Sequence, residues 1–219
     1  MYDQKFFRNS FTEKQQQKIR KTVFAVVGLG GTGGFILENL LRTGAENLLL
    51  FDHDRFELSN FNRQILATDY TIDQRKTKAA AARGKSINRS VQMKTFAEFV
   101  PDALDADVLL DGSDNVQTKI AMAKAARKKK IPYVFCSANS SRGIVTVFTR
   151  YRFEKAFQIN PSLDYGKCQS ILCPAASLAG SLAAAEAIKY VLRKEYIRAP
   201  EALFFDLFKK EIFWRAELG

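Results

Sequence analysis

Five glycines crowd into Gly28-Leu29-Gly30-Gly31-Thr32-Gly33-Gly34, directly after the β-branched apolar run Val23 to Val27. Gly28, Gly30 and Gly33 match G-x-G-x-x-G between a strand and a helix, a setting in which free backbone amides and the helix dipole attract a phosphate. Asp52 closes the next apolar run, Leu48 to Phe51, where a carboxylate can accept hydrogen bonds from ribose hydroxyls. A nucleotide is implied, and this much suits NAD, FAD or ATP alike. His53, the only histidine, lies between Asp52 and Asp54 and reads either as a solvated loop residue or as a general base. The three cysteines, Cys136, Cys168 and Cys173, cannot all pair within one chain, so free thiols are expected.

The elements that must position these groups alternate along the chain. An exposed helix is expected over Thr12 to Arg20, a buried strand over Val23 to Val27, a helix over Phe35 to Leu41 ending at Gly44, and a strand over Leu48 to Phe51. The pattern continues with a helix near Asp73 to Ser86, strands near Val91 to Thr95 and Val108 to Leu110, a helix over Val116 to Lys130, and strands over Tyr133 to Cys136 and Gly143 to Thr149. Tyr151 to Gly166 has no period and reads as a crossover loop, placed within 151–173. Pro174 suits a first helical turn, and the small apolar run to Leu192 predicts burial in the core or at a subunit interface. Leu203 to Phe208 and Glu211 to Arg215 read as a closing hairpin. The expected fold is α/β and Rossmann-like, a mainly parallel sheet with helices on both faces, extended by antiparallel C-terminal strands.

A chain of 219 residues suits one domain over 1–219, with a helical segment over 1–21. No run approaches the roughly 18 apolar residues of a membrane span, and Met1 to Arg20 lacks a signal-peptide pattern, so a cytoplasmic protein with no membrane partner is expected. The net charge of +11 favours acidic partners such as nucleotides, acidic proteins or RNA, or else is a solvated surface; its location is not given by the sum.

Beyond Asp52 the chain carries Ser59-Asn60-Phe61-Asn62-Arg63-Gln64, then Lys76, then Asp111-Gly112-Ser113-Asp114-Asn115. This order resembles the ThiF/MoeB/HesA superfamily, which includes sulfur-carrier adenylyltransferases and the adenylation domains of ubiquitin-activating enzymes. The resemblance implies that Gly28, Gly30, Gly31, Gly33, Asp52, Asp54, Asn60, Arg63, Gln64, Lys76, Asp114 and Asn115 bind ATP. It implies that Arg63, Lys76 and Asp114 act in catalysis and that Asp114 helps hold Mg2+. Asp114 could also cap the helix that follows it. Arg8-Asn9 resembles an N-terminal segment whose Arg reaches the triphosphate of a partner subunit, implying a homodimer. Pro174 to Lys189 resembles the family's late buried helix, and Phe204 to Leu207 also fits; Tyr151 to Lys167 matches poorly.

Two departures qualify the resemblance. Many members bind zinc through two C-x-x-C pairs; no cysteine pair here has that spacing, so no structural zinc is expected. Relatives that form thioesters carry a cysteine just before the late helix, where Cys168 lies, although it sits about two residues closer to Pro174 than expected. Lys167 would favour a thiolate at Cys168; Cys173 is a second candidate, and Cys136 reads as a buried core residue. The implied activity is ATP- and Mg2+-dependent adenylation of a ubiquitin-like carrier ending in Gly-Gly. Adenylation of a carboxylate on a tRNA base, or a non-catalytic NAD- or nucleotide-binding role, are the alternatives.

Overall fold

The computed structural model describes residues 4–6, 8–158 and 170–219. The first long element, α1 (Glu13–Lys21), opens on a capping box: Gln15 N donates to Thr12 Oγ1 at 3.3 Å, and Thr12 N donates to Gln15 Oε1 at 2.9 Å. It leads into β1 (Val23–Val27), the centre of the parallel half of the sheet. The other strands are β2 (Asn47–Phe51), β3 (Gln92–Phe96), β4 (Val108–Asp111), β5 (Tyr133–Asn139), β6 (Arg142–Phe148), β7 (Glu201–Asp206) and β8 (Phe213–Glu217). They form one sheet in the order β3-β2-β1-β4-β5-β6-β7-β8. Pairing is parallel from β3 to β5 and antiparallel from β5 to β8. The expected architecture is therefore the observed one.

Because side chains alternate along a strand, each parallel strand feeds two cores. Phe24, Val26, Leu48, Leu50, Val108 and Leu110 pack on the face covered by α2 (Gly31–Arg42), α3 (Lys76–Ile87) and α6 (Cys173–Val191). Ala25, Val27, Leu49, Phe51 and Leu109 pack on the other, under α4 (Val116–Lys129) and the short α5 (Phe153–Ala156). Both faces are covered, as a parallel sheet requires.

Several boundaries depart from the sequence expectations. Helix α2 begins at Gly31 rather than Phe35, because glycine carries no apolar signal even where it takes helical geometry. Strand β5 runs on to Asn139, held by its antiparallel partner β6. Part of the expected crossover loop is helical, in α5, and 159–169 lie outside the described residues. The closing hairpin is shifted, with β8 starting at Phe213. Among the described residues, no helix is long and apolar enough to cross a membrane.

The small residues of α6 face the core. Ala175, Ala179, Ala183, Ala184 and Ala187 are buried, and a Cβ on Gly180 would stand 2.6 Å from Thr32 O and 2.9 Å from Phe35 Cβ. The backbones of α2 and α6 therefore meet almost directly, and α6 clamps the helix that starts at the glycine loop. Gly180→Val is expected to cost about 2–3 kcal/mol, since the clash involves backbone that cannot yield cheaply. Urea unfolding checks this.

Candidate functional site

The carboxyl ends of β1, β2, β4 and β5 open on a cleft of about 490 Å3. A cleft here is the expected place for a ligand in an open α/β sheet, since β1 pairs with β2 on one side and β4 on the other and the connections diverge. The turn from β1 into α2 forms its floor. Gly28 has φ +83°, and its N–H donates to Phe51 O at 2.8 Å. A Cβ on Gly33 would lie 1.8 Å from Gly28 O, and one on Gly112 would lie 2.4 Å from the same atom. These three glycines are required by backbone meeting backbone. Gly30 and Gly31 line the cleft, and Gly30, the N-cap of α2, supplies no side chain to its first amides. Those donors are available to an anion.

Asp52 is buried, and its carboxylate accepts from Leu29 N at 2.6 Å and Asp54 N at 2.8 Å. Burial raises its pKa; Lys76 and the two amides oppose this only in part. Lys76, the first residue of α3, is buried and holds Asp54 Oδ2 at 2.9 Å, while its own N–H donates to Asp54 O at 3.0 Å. His53 is exposed with Nε2 3.1 Å from Asp54 Oδ1, the loop position the sequence suggested.

The turn Leu58–Asn60 organises the next group. Asn60 is buried, takes Glu57 N on Oδ1 at 3.2 Å, and offers its carbonyl to Arg63 N and Gln64 N. It builds the turn that carries Arg63 and Gln64 and is not itself among the residues lining the cleft. Arg63 does line it. Its Nη1 is spent on Ser59 O at 2.7 Å and Asn62 Oδ1 at 2.8 Å, leaving Nε and Nη2 without partners among the described residues. Gln64 is buried, and its Oε1 has no hydrogen-bond partner there. An orphaned amide beside Gly30 is a group waiting for a ligand or water.

At the end of β4, Asp111 is fully buried. Its Oδ2 accepts from Lys119 Nζ at 2.9 Å and Tyr133 Oη at 2.5 Å, and its Oδ1 accepts from Ser113 N and Oγ at 2.9 and 2.8 Å. Lys119 also donates to Ser113 O at 2.8 Å, tying the loop down on both sides. Burial and the neighbouring Asp111 push the Tyr133 phenol well up, so it stays a donor. The Cys136 thiol donates to Asp111 O at 3.0 Å and is likewise pushed up by burial, which leaves it an inert core residue as expected.

The loop so fixed presents Asp114 exposed at the cleft, with no hydrogen bond or ion pair among the described residues. It is not the helix cap. Asn115 takes that role, its Oδ1 accepting from Thr118 N at 3.0 Å. Among the cleft carboxylates, Asp52 and Asp54 are engaged, while Asp114, beside the glycine loop, and the exposed Glu98 keep their oxygens free among the described residues. The half-used guanidinium and the free carboxylate of Asp114 together fit a nucleotide phosphate with its magnesium, while Gln64 Oε1, an acceptor, calls for a donor such as water or a hydroxyl.

Of the remaining expected site residues, Gly33 lies behind the floor, and Arg8 is exposed in the turn after Gln4–Phe6, outside the cleft. Cys168 lies outside the described residues; Cys173 is the half-exposed first residue of α6. The sequence motif includes Asp111 without giving it a role, and Lys119 lies outside it. A signal was present: Val116, Lys119, Ile120 and Ala123 share one helical stripe, and a lysine in an apolar stripe requires a buried partner.

A model of the ThiF family matches residues 2–218. The chain is similar to the molybdopterin-synthase adenylyltransferase of Haemophilus influenzae, at 29% identity over 210 residues, 88% of this chain and 84% of that protein. It is also similar to the Sulfur carrier protein ThiS adenylyltransferase of Bacillus subtilis, at 32% over 137 residues, 59% of this chain and 41% of that protein. The tRNA threonylcarbamoyladenosine dehydratase of Haemophilus influenzae is 30% identical over 139 residues, 59% of this chain and 53% of that protein. Among solved structures, E. coli MccB with ATP superposes with TM-score 0.79 at 18% identity, over 94% of this chain; this chain spans 66% of that one. That likeness speaks for the fold alone.

Lys119→Met is expected to cost about 3–5 kcal/mol, because it strands the Asp111 charge in the core. Urea titration measures it; a cost under about 1 kcal/mol would mean that the pair is not buried as described.

Proposed function

The chain belongs to the ThiF family, and from that premise we propose that it is an ATP-dependent adenylyltransferase whose glycine cleft activates a carboxylate. The observation that carries the reading is the pair of unspent groups on one cleft: the Nε and Nη2 of Arg63, and the free carboxylate of Asp114. Hydride transfer builds no charge on phosphate oxygen and so draws no catalytic benefit from them.

In this reading the ribose hydroxyls donate to Asp52, and the phosphates lie over the first turn of α2, flanked by Arg63, Gln64 and Lys76. A substrate carboxylate oxygen attacks the α-phosphorus. As that bond forms, the bond from the α-phosphorus to the oxygen bridging to the β-phosphate breaks, and pyrophosphate leaves with the electron pair. The attacking group is already ionised, so no proton must move. Arg63 and Lys76 stabilise the charge that builds on phosphate oxygen, in a cleft where the fixed dipoles of α2 need no reorganisation. Magnesium, held by Asp114, would neutralise further phosphate charge.

The substrate favoured is the C-terminal glycine of a ubiquitin-like sulfur carrier or modifier ending in Gly-Gly, supported by the similarity to the two adenylyltransferases. The second reading, a carboxylate on a tRNA base, is supported by the similarity to the dehydratase and by the +11 charge. A homodimer in which Arg8 completes the partner's phosphate site accords with its exposed place outside its own cleft. Cys168, with Cys173 as the alternative, is the proposed acceptor if the adenylate passes to a thiol.

Labelled pyrophosphate exchange into ATP, with magnesium and either a carrier or tRNA, tests these readings. Exchange that needs one of the two substrates and falls about 100–1,000-fold in Arg63→Ala would support adenylation and name the substrate class. ATP binding without exchange under any condition would sink it.

Nucleotide binding should also depend on pH through Asp52. Its folded pKa is raised, so the stability linked to its protonation is present at low pH and lost as pH rises through the folded value. Accepting from ribose hydroxyls needs the ionised form. ATP affinity is therefore expected to weaken as pH falls through that raised value, and Asp52→Asn to bind weakly without this dependence, as read by calorimetry across pH.

A further inference from the structure

The basic charge gathers at the end of the sheet remote from the glycine loop. There α1 closes with Lys21 ahead of β1, α4 gives way to Lys130 ahead of β5, and α6 runs out into Arg193 and Lys194. Between these helix ends lies a cleft of about 1090 Å3, larger than the glycine cleft. The five residues of β1 separate the two, about 15 Å at the usual rise of a strand.

Six cations line this second cleft: Lys18, Lys21, Lys130, Arg193, Lys194 and Arg198. All are exposed, and none makes an ion pair among the described residues. Its two carboxylates do not balance them. Asp107, which accepts from Val23 N at 2.8 Å, and Glu195 are two negative charges against six positive ones. Favourable interaction with helix C-termini accounts for a cation at the last turn of each helix, worth about 0.3–1 kcal/mol apiece. It does not account for Arg198, which lies beyond α6, nor for collecting all six in one concavity where they repel one another.

Aromatic surface lies among the cations. Arg198 sits over the Tyr196 ring at 5.2 Å and donates from Nη2 to its Oη at 2.9 Å, and Tyr190 meets Tyr196 edge to face at 5.4 Å. Guanidinium and tyrosine planes beside unpaired cations are what an RNA chain uses, with phosphates on the cations and an unpaired base stacked on the planes. An acidic protein segment would be drawn by the same charges, and competition by poly-glutamate separates it from RNA.

We propose that this cleft is an RNA-binding surface. It holds RNA and does no chemistry, since a strand seated there lies a strand's length from the glycine loop of the same subunit. The proposal stands whichever carboxylate that loop serves.

The test is anisotropy of a fluorescently labelled, unmodified tRNA transcript with the full chain, as wild type and as Lys21→Glu/Lys130→Glu/Arg193→Glu, across a sodium chloride series. Unchanged thermal unfolding of the variant confirms its fold without appeal to adenylation. The wild type is expected to show log affinity falling with log salt at a slope of about −3 to −5, and the variant to bind at least tenfold more weakly with a slope shallower by about 2. Poly-glutamate of matched charge is expected to displace the tRNA poorly compared with unlabelled tRNA. The proposal is overturned by wild-type protein that binds no tRNA, by a variant that binds as wild type does, or by poly-glutamate that competes as well as tRNA, which would mark an acidic protein as the occupant.

Discussion

The carbonyl oxygen of Gly28 occupies the space in which a side chain on either Gly33 or Gly112 would begin. Everything at the nucleotide end follows from that contact. It brings the end of β1, the first turn of α2 and the end of β4 together at backbone distance, so the Asp111 to Asn115 loop lies beside the free amides of α2. The glycines of this junction thus divide by role. Gly28 and Gly33, with Gly112 outside the phosphate-loop pattern, hold backbone against backbone, and Gly30 and Gly31 leave the opening.

Around this junction the ionisable groups separate into those consumed by the architecture and those left over. Asp111, Lys119 and Tyr133 satisfy one another out of water, where an unpaired member would be costly. Lys76 and Asp54 pin the start of α3 to the loop after β2. Arg63 is partly spent, Asp114 not at all, and Gln64 keeps an unmatched acceptor. Lys119 steadies Ser113, one residue before the free Asp114, so that carboxylate points at the opening without being held by anything inside it.

How far the sequence reveals this depends on which physical signal each element carries. The central parallel strands β1, β2 and β4 are short β-branched or leucine-rich runs, and their burial is readable; the edge strand β3, with its Gln, Lys and Thr, carries a weaker signal. The start of α2 is not, because Gly31 to Gly34 have no hydrophobic period to register. Asp114 and Asn115 are both good caps, and only the loop geometry imposed by Asp111 and Lys119 decides that Asn115 bonds Thr118 while Asp114 faces out. Asn60 follows the family pattern in type and spacing, yet its side chain closes a turn instead of lining the cleft. The +11 charge is visible as a sum; that six of its cations surround one concavity depends on three helices ending side by side, which no local pattern encodes.

The contact at Gly28 also orders events in time. Its partner Gly112 is 84 residues further on, as is Asp107 from the Val23 amide it receives. By contrast β5 and β6 pair across a two-residue turn, Asn139 against Arg142, a contact the chain can make as soon as both strands exist. On a ribosome the glycine loop is therefore synthesised early and shaped late. Until β4 emerges and docks, the contact of Gly112 on Gly28 O is missing, so a defect that slows the arrival of β4 would delay completion of the site without altering a single residue that lines it.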